Sequence, residues 1–280
     1  MENVHNEDCL LWMRKQPDDF VDLTVTSPPY DDLRTYNGYS FDFENIANQL
    51  FRITKSGGVV VWVVADGTDK TGSETGTSFK QALYFKDVCG FNLHDTMIYE
   101  KNTSSFPSGE RSNRYTQIFE YMFVLSKGKP KTANLITDKK NKWAGWHTWG
   151  TATKRQVDGT MKDSGFGEKT IREYGVRNNI WPIVCSGGFG HKDDLAYEHP
   201  ATFPEKLAED HILTWSNEED LIFDPFAGSG TTLLMAVKNR RKYVGCEISK
   251  EYYDLIEKRF NLRFPSYFQS VVEIDFGDIK

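Results

Sequence analysis

The chain lacks any long hydrophobic run. Its longest uninterrupted apolar stretch, Val59 to Ala65, is seven residues, against the roughly 20 that cross a bilayer as a helix. Met1 to Leu10 has neither the basic start nor the apolar centre of an export signal. Cysteine is scarce: Cys9, Cys89, Cys185 and Cys246 lie far apart with no CxxC pair, which argues against a disulfide framework and a cysteine zinc site. A cytoplasmic protein with reduced thiols is expected. No grouping of His, Asp and Glu has metal-ligand spacing, so no metal is expected, and there is no internal repeat or low-complexity tract. What is present, 280 residues with 39% apolar and 26% charged, suffices for one large domain, with or without an insertion.

The chain also lacks an overall positive charge, carrying −6. That balance is uneven. Residues 101–180 hold 15 Lys and Arg against 7 Asp and Glu, a local +8, which leaves −14 on the remainder. Such a basic middle suits a polyanion, because Lys and Arg gain affinity by releasing phosphate counterions. A solvated basic loop region is the other reading of the charge alone.

Val21 to Thr26 reads as a strand that stops at Ser27-Pro28-Pro29, where two prolines cannot continue a ladder. Ile46, Leu50 and Ile53 fall at helical spacing within 43–54, Ser56-Gly57-Gly58 is expected to end that helix, and 59–65 follows as a buried strand. Residues 79–88 repeat the helical pattern, and 96–100 and 118–125 look like strands. After a stretch of weak periodicity, order returns beyond Trp181 with helices at 203–215, 231–239 and 251–260 and strands at 221–223 and 243–246. Alternating strand and helix predicts an α/β fold, a mostly parallel sheet with helices on both faces. Three parts are expected: 1–126 with 180–265 as the main domain, 127–179 as a loop-rich insertion, and 266–280 as a C-terminal extension.

Asp224-Pro225-Phe226-Ala227-Gly228-Ser229-Gly230-Thr231-Thr232 follows an apolar strand and opens a helix. Gly228 and Gly230 let the backbone approach a ligand, and the helix start offers N–H groups to an anion. No GK[ST] follows, which argues against a Walker phosphate loop. The next strand ends at Glu247, about twenty residues on, where nucleotide-binding sheets place an acid for the ribose hydroxyls.

Three motifs resemble the amino-group DNA methyltransferases. The turn is similar to that family's DPFxGxGTT, His199-Pro200-Ala201-Thr202-Phe203-Pro204 resembles its HPAxFP segment, and Ser27-Pro28-Pro29-Tyr30 resembles its [DNS]PP[YFW] motif. Asp8-Cys9-Leu10 is similar to its DCL segment, although Glu7 stands where glycine is common. The motif order matches the β-type permutation, and the likeness spans residues 4–262. It implies a Rossmann-like fold that binds S-adenosyl-L-methionine through Asp8, Cys9, Thr26, His199, Pro200, Phe203, Pro204, Asp224, Phe226, Gly228, Gly230, Thr231, Thr232 and Glu247. Catalysis would fall to Ser27, Pro28, Pro29 and Tyr30.

The chemistry suits those residue types. An exocyclic amine of cytosine or adenine is a poor nucleophile, because its lone pair is delocalised into the ring. Ser27 Oγ and the Pro28 carbonyl can accept its two N–H bonds, and Tyr30 can stack on a base turned out of the duplex. A bare SPPY is otherwise only a strand-ending turn. By resemblance, Ser at its first position points to cytosine N4, with adenine N6 as the alternative. The same likeness makes the insertion a target-recognition region, with Arg111, Arg114, Lys139, Lys140, Lys142, Lys154 and Arg155 on double-stranded DNA. Trp143, Trp146 and Trp149 either wedge between bases or pack with one another. A cognate restriction endonuclease and a homodimer are the assemblies such a protein can form. A non-catalytic binding protein, and methylation of RNA or of a glutamine amide, remain competing readings.

Overall fold

Val4–His5 (β1) and Cys9–Arg14 (α1) precede Val21–Thr26 (β2), Phe43–Ile53 (α2) and Thr54–Val64 (β3). Thr77–Tyr84 (α3), Asn92–Lys101 (β4), Phe119–Ser126 (β5) and Ile180–Ile183 (β6) follow, then Glu205–Trp215 (α4), Leu221–Asp224 (β7), Thr231–Lys238 (α5), Lys242–Cys246 (β8) and Lys250–Arg263 (α6). This computed structural model describes residues 2–29, 41–103, 113–148, 153–163, 169–185 and 190–265. Tyr30, Arg111, Trp149 and the extension 266–280 lie outside the described residues.

The eight strands form one sheet in the order β1-β8-β7-β2-β3-β5-β4-β6. β1, β8, β7, β2 and β3 pair in parallel, β5 runs antiparallel to both its neighbours, and β6 pairs in parallel with β4. Side chains alternate between the faces. Val60, Trp62 and Val64 of β3 therefore share a core with Met13 of α1, Leu50 of α2 and Ala82 of α3. Val61 and Val63 are also fully buried, on the opposite face, where α4 packs on α5 and both pack on the strands. The α/β fold expected from the alternation is the one observed.

Local chemistry moves some boundaries. Ser56-Gly57-Gly58 does not end α2: the helix stops at Ile53, where Thr54 turns to extended backbone and its hydroxyl donates to the Leu50 carbonyl at 2.6 Å. The glycines lie inside β3 instead, next to a register shift against β2. The expected helix at 79–88 runs as α3 and then a π turn, Phe85–Cys89, closed by Gly90. Among the described residues no helix is long and apolar enough to cross a membrane.

Two compact units divide the chain, Met1–Asn134 with Ile180–Lys280, and Leu135–Asn179. Residues 127–134 group with the first, through bonds such as Gly57 N to the Lys127 carbonyl at 2.7 Å and Asn134 N to the Thr214 carbonyl at 2.8 Å. The second contains three short antiparallel pairs: Lys139–Lys140 with Tyr174–Gly175, His147–Thr148 with Lys169–Thr170, and Thr153–Arg155 with Met161–Asp163. Strands of two or three residues are too short to leave a period in the sequence.

Candidate active site

Because β1, β8, β7 and β2 are parallel neighbours, their carboxyl ends share one edge of the sheet. In open α/β sheets this is where ligands bind. Asp8 and Cys9 follow β1, Ser27-Pro28-Pro29 continues β2, Asp224 to Thr232 leaves β7, and Glu247 follows β8.

The strand ends are tied together by side chains. Thr26 Oγ1 donates to Asp224 Oδ1 at 2.7 Å, and Phe226 N donates to the same oxygen at 3.1 Å. Thr232, in the first turn of α5, donates from its hydroxyl to the Val25 carbonyl at 3.1 Å. The Pro-Pro segment and the glycine turn, nearly 200 residues apart in sequence, therefore leave the sheet side by side. Pro28 is buried, with Ser27 and Pro29 half-buried. Phe226 packs edge-on against Trp62 and Phe41, at centroid distances of 6.2 and 5.7 Å.

Gly228 and Gly230 have φ of +52° and +78°, in the left-handed region that costs other residues free energy. A Cβ at Gly230 would sit 2.9 Å from Ile256 Cγ2, and one at Gly228 would meet His199 Nε2 at 3.1 Å. The His199 ring thus lies against the turn, 4.3 Å from the Tyr252 ring on its other contact. Its Nδ1 accepts from Ala201 N at 3.1 Å, which shapes the motif from within. Pro200 is exposed, Phe203 half-buried, and Pro204 buried as the N-cap of α4.

Glu247 is 8% exposed and braces the glycine turn: Oε2 accepts from Gly228 N and Oε1 from Ser249 N, both at 2.8 Å. Burial raises its pKa to about 7 against those N–H groups. Burial likewise raises Asp224 to about 6, opposed by the bonds from Thr26 and Phe226. Asp8 caps α1, accepting from Leu11 N at 3.0 Å, and Cys9 is buried with its thiol pushed up by desolvation. Thr231 faces Ser229, Oγ to Oγ, at 3.2 Å.

Sequence reasoning missed a buried ionic group beside the turn. Arg259 of α6 is fully buried and forks the Asp193 carboxylate, Nε to Oδ1 at 2.8 Å and Nη2 to Oδ2 at 3.0 Å. Burial and the Arg259 charge lower neighbouring His191 to about 4, so its imidazole is neutral at pH 7. The one sequence signal was the spacing of Arg259 and Arg263, four apart and so on one helix face.

The basic candidates divide between the two units. Arg114 belongs to the first, where it donates to the Gly72 carbonyl and pairs with Glu74 at 3.4 Å. Lys139, Lys140, Lys142, Lys154 and Arg155 belong to the second, with Lys142 and its fellow lysines set in or next to its short strands. Trp143 and Trp146 pack edge-on at 4.9 Å yet remain 50% and 63% exposed, with Lys142 Nζ 5.3 Å over the Trp143 ring. They pack with each other and still present free ring surface. Among the described residues no cluster of three His, Cys, Asp or Glu side chains is arranged to hold a metal.

The sequence matches a known family. The N6/N4 methyltransferase family model, described as DNA methylase, matches residues 21–258. The chain is 61% identical over 239 residues to the orphan methyltransferase M.BamHII of Bacillus amyloliquefaciens, covering 85% of this chain and 88% of that protein. It is 42% identical to the DNA adenine methyltransferase YhdJ of Escherichia coli, covering 93% and 83%. Among solved structures, a protein of Thermus thermophilus described as a putative DNA modification methylase and complexed with S-adenosyl-L-methionine shares the fold, at a TM-score of 0.59 and 23% identity over 94% of this chain and 95% of that one. The chain belongs to the N6/N4 family of DNA methylases.

Proposed function

We propose that the protein transfers a methyl group from S-adenosyl-L-methionine to the N4 amine of cytosine within a short sequence of double-stranded DNA. The observation that carries this reading is the Thr26–Asp224 bond, which sets the Ser27-Pro28-Pro29 segment beside the glycine turn. The residues present fit the cofactor. At Gly228 and Gly230 any Cβ would crowd His199 and Ile256, so only glycine lets the turn close against them, and α5 begins there with first-turn N–H groups that have no intrahelical acceptor. Each Glu247 oxygen accepts one backbone N–H and keeps a lone pair for a ribose hydroxyl. His199 and Phe203 border the methionine end in this reading.

When bound, the cofactor supplies a methyl group already activated on a sulfonium, so the protein contributes positioning and electrostatics. Ser27 Oγ and the Pro28 carbonyl accept the amine's two N–H bonds, which turns its lone pair out of the base plane. The fixed φ of Pro28 and Pro29 aims that carbonyl. Tyr30 is assigned to stacking on the extruded base. The lysines and Arg155 of the second unit serve phosphate contact, and the Trp143–Trp146 pair offers a stacking surface for bases. The cognate endonuclease and the homodimer belong to the same proposal as partners, while M.BamHII is named an orphan.

Adenine N6 is the second reading, favoured by the 42% identity to an enzyme named for adenine. Two N–H donors in one plane are common to both amines, so the turn itself accommodates either. Nucleoside mass spectrometry of plasmid incubated with protein and cofactor separates them. The expected product is N4-methylcytosine. N6-methyladenine alone would reject the cytosine assignment, and transfer to RNA or protein in place of duplex DNA would reject the substrate class.

A further inference from the structure

We propose that Arg259 is a positioning residue that locks the glycine turn and the segment leading to the HPAxFP motif into one preorganised cofactor clamp. The inference rests on the cofactor reading above. A buried guanidinium is costly unless its donors are satisfied, and here they join distant parts of the chain. Besides forking Asp193, Arg259 donates from Nη1 to the Ser229 carbonyl at 2.5 Å and to Ser229 Oγ at 3.1 Å. That carbonyl sits between the two positive-φ glycines, and on its far side Gly230 N donates to the Ala227 carbonyl at 2.6 Å. Both ends of the Ser229–Gly230 peptide are therefore held, and the peptide cannot rotate without breaking a bond.

Arg263, one helical turn further, extends the same group. Its Nη1 reaches Asp193 Oδ2 at 2.8 Å and Glu205 Oε1 at 2.6 Å. Glu205 opens α4 directly after Phe203-Pro204, and it also accepts from Lys192 N at 3.0 Å. The two carboxylates and two guanidinia are mutually neutralising. Burial alone would raise Asp193 and Glu205, but the arginine bonds and charges outweigh it and hold both below the usual carboxylate range. In this way α6 fastens the approach to His199 on one side and the glycine turn on the other. Arg259 alone among the four charged groups bonds the turn itself, so its removal frees the Ser229 peptide.

The test compares Arg259→Lys with the double variant Arg259→Met, Asp193→Leu, in which apolar groups replace the buried fork so that no unpaired charge is left. The probe is S-adenosyl-L-homocysteine, titrated calorimetrically at a temperature where circular dichroism shows native fold. The expected result is binding weakened about tenfold or more, a correspondingly raised KM for the cofactor, and kcat at saturation little changed, with Arg259→Lys intermediate. Folded variants that bind with native affinity would overturn the proposal. Should both variants fail to fold, hydrogen exchange on the native protein decides. Joint protection of the amides near Asp193 and Ser229 on adding the ligand supports the clamp, and protection of the turn alone overturns it. Failure of the native protein to bind the ligand overturns the cofactor reading, and this inference with it.

Discussion

Ser27→Ala is expected to lower kcat by roughly 10²–10³-fold, the usual cost of deleting one preorganised hydrogen-bond partner of a reacting group. The alanine variant loses the acceptor for one amine N–H and keeps the Pro28 carbonyl for the other. Its effect is expected in turnover rather than binding, because Ser27 is assigned to the amine, whereas the glycine turn and Glu247, assigned to the cofactor, follow β7 and β8. Affinity for S-adenosyl-L-homocysteine should stay within about twofold, since an interaction confined to the transition state does not alter ground-state binding. Single-turnover methylation of a plasmid, with calorimetric titration of the ligand, reads both quantities. A Ser27→Ala enzyme with near-native turnover would remove this serine from the chemistry.

Asp224 supports a stability prediction with a definite sign. Its carboxyl is 2% exposed and accepts from Thr26 and Phe226, while burial holds its pKa near 6 instead of 3.8. A group whose pKa is raised by folding contributes stability that is fully present below the unfolded value and is lost as pH climbs through the folded one. Glu247, raised from 4.5 to about 7, acts in the same direction. These two carboxyls therefore add a downward slope to stability as pH rises from about 4 to 7, while His191, lowered from 6.5 to about 4, adds an upward one over most of the same window, so the Asp224 share is read as the difference between the native melting curve and that of a neutral variant.

Asp224→Asn keeps an acceptor for both donors and removes the charge, so it should flatten the lower part of that slope and melt no lower than the native protein at pH 8. Asp224→Ala removes the acceptor as well. It should be less stable than Asp224→Asn by about 2–4 kcal/mol, the cost of two orphaned donors and a small void. Equal melting temperatures for the two variants would mean that the Thr26–Asp224–Phe226 bonds contribute nothing.

The site was legible in the sequence wherever a local rule forces one conformation. Pro28 and Pro29 must end a strand, and glycines between an apolar strand and a helix mark a turn, so both segments of the candidate site could be located from spacing. β1 and α1 escaped because two and six residues are too few for a period to emerge. β6 was hidden by Pro182, which a strand tolerates at the edge of a sheet. The Arg259–Asp193 fork was invisible for another reason: charges on a helical pattern ordinarily read as a solvated face, and their burial depends on a partner 66 positions away. Thr232 shows the same limit, since its hydroxyl turns inward to β2, where no local pattern points.

The central claim is that one cleft at the ends of β2 and β7 brings the amine-holding segment and the cofactor turn together. A crystal structure of the complex with S-adenosyl-L-homocysteine tests it most directly. The account predicts the ribose on Glu247, the ligand's amino-acid end between the Gly228 turn and His199, and the sulfur facing the Ser27–Pro28 segment. A ligand bound away from Gly228, or one whose sulfur points away from Ser27, would contradict it.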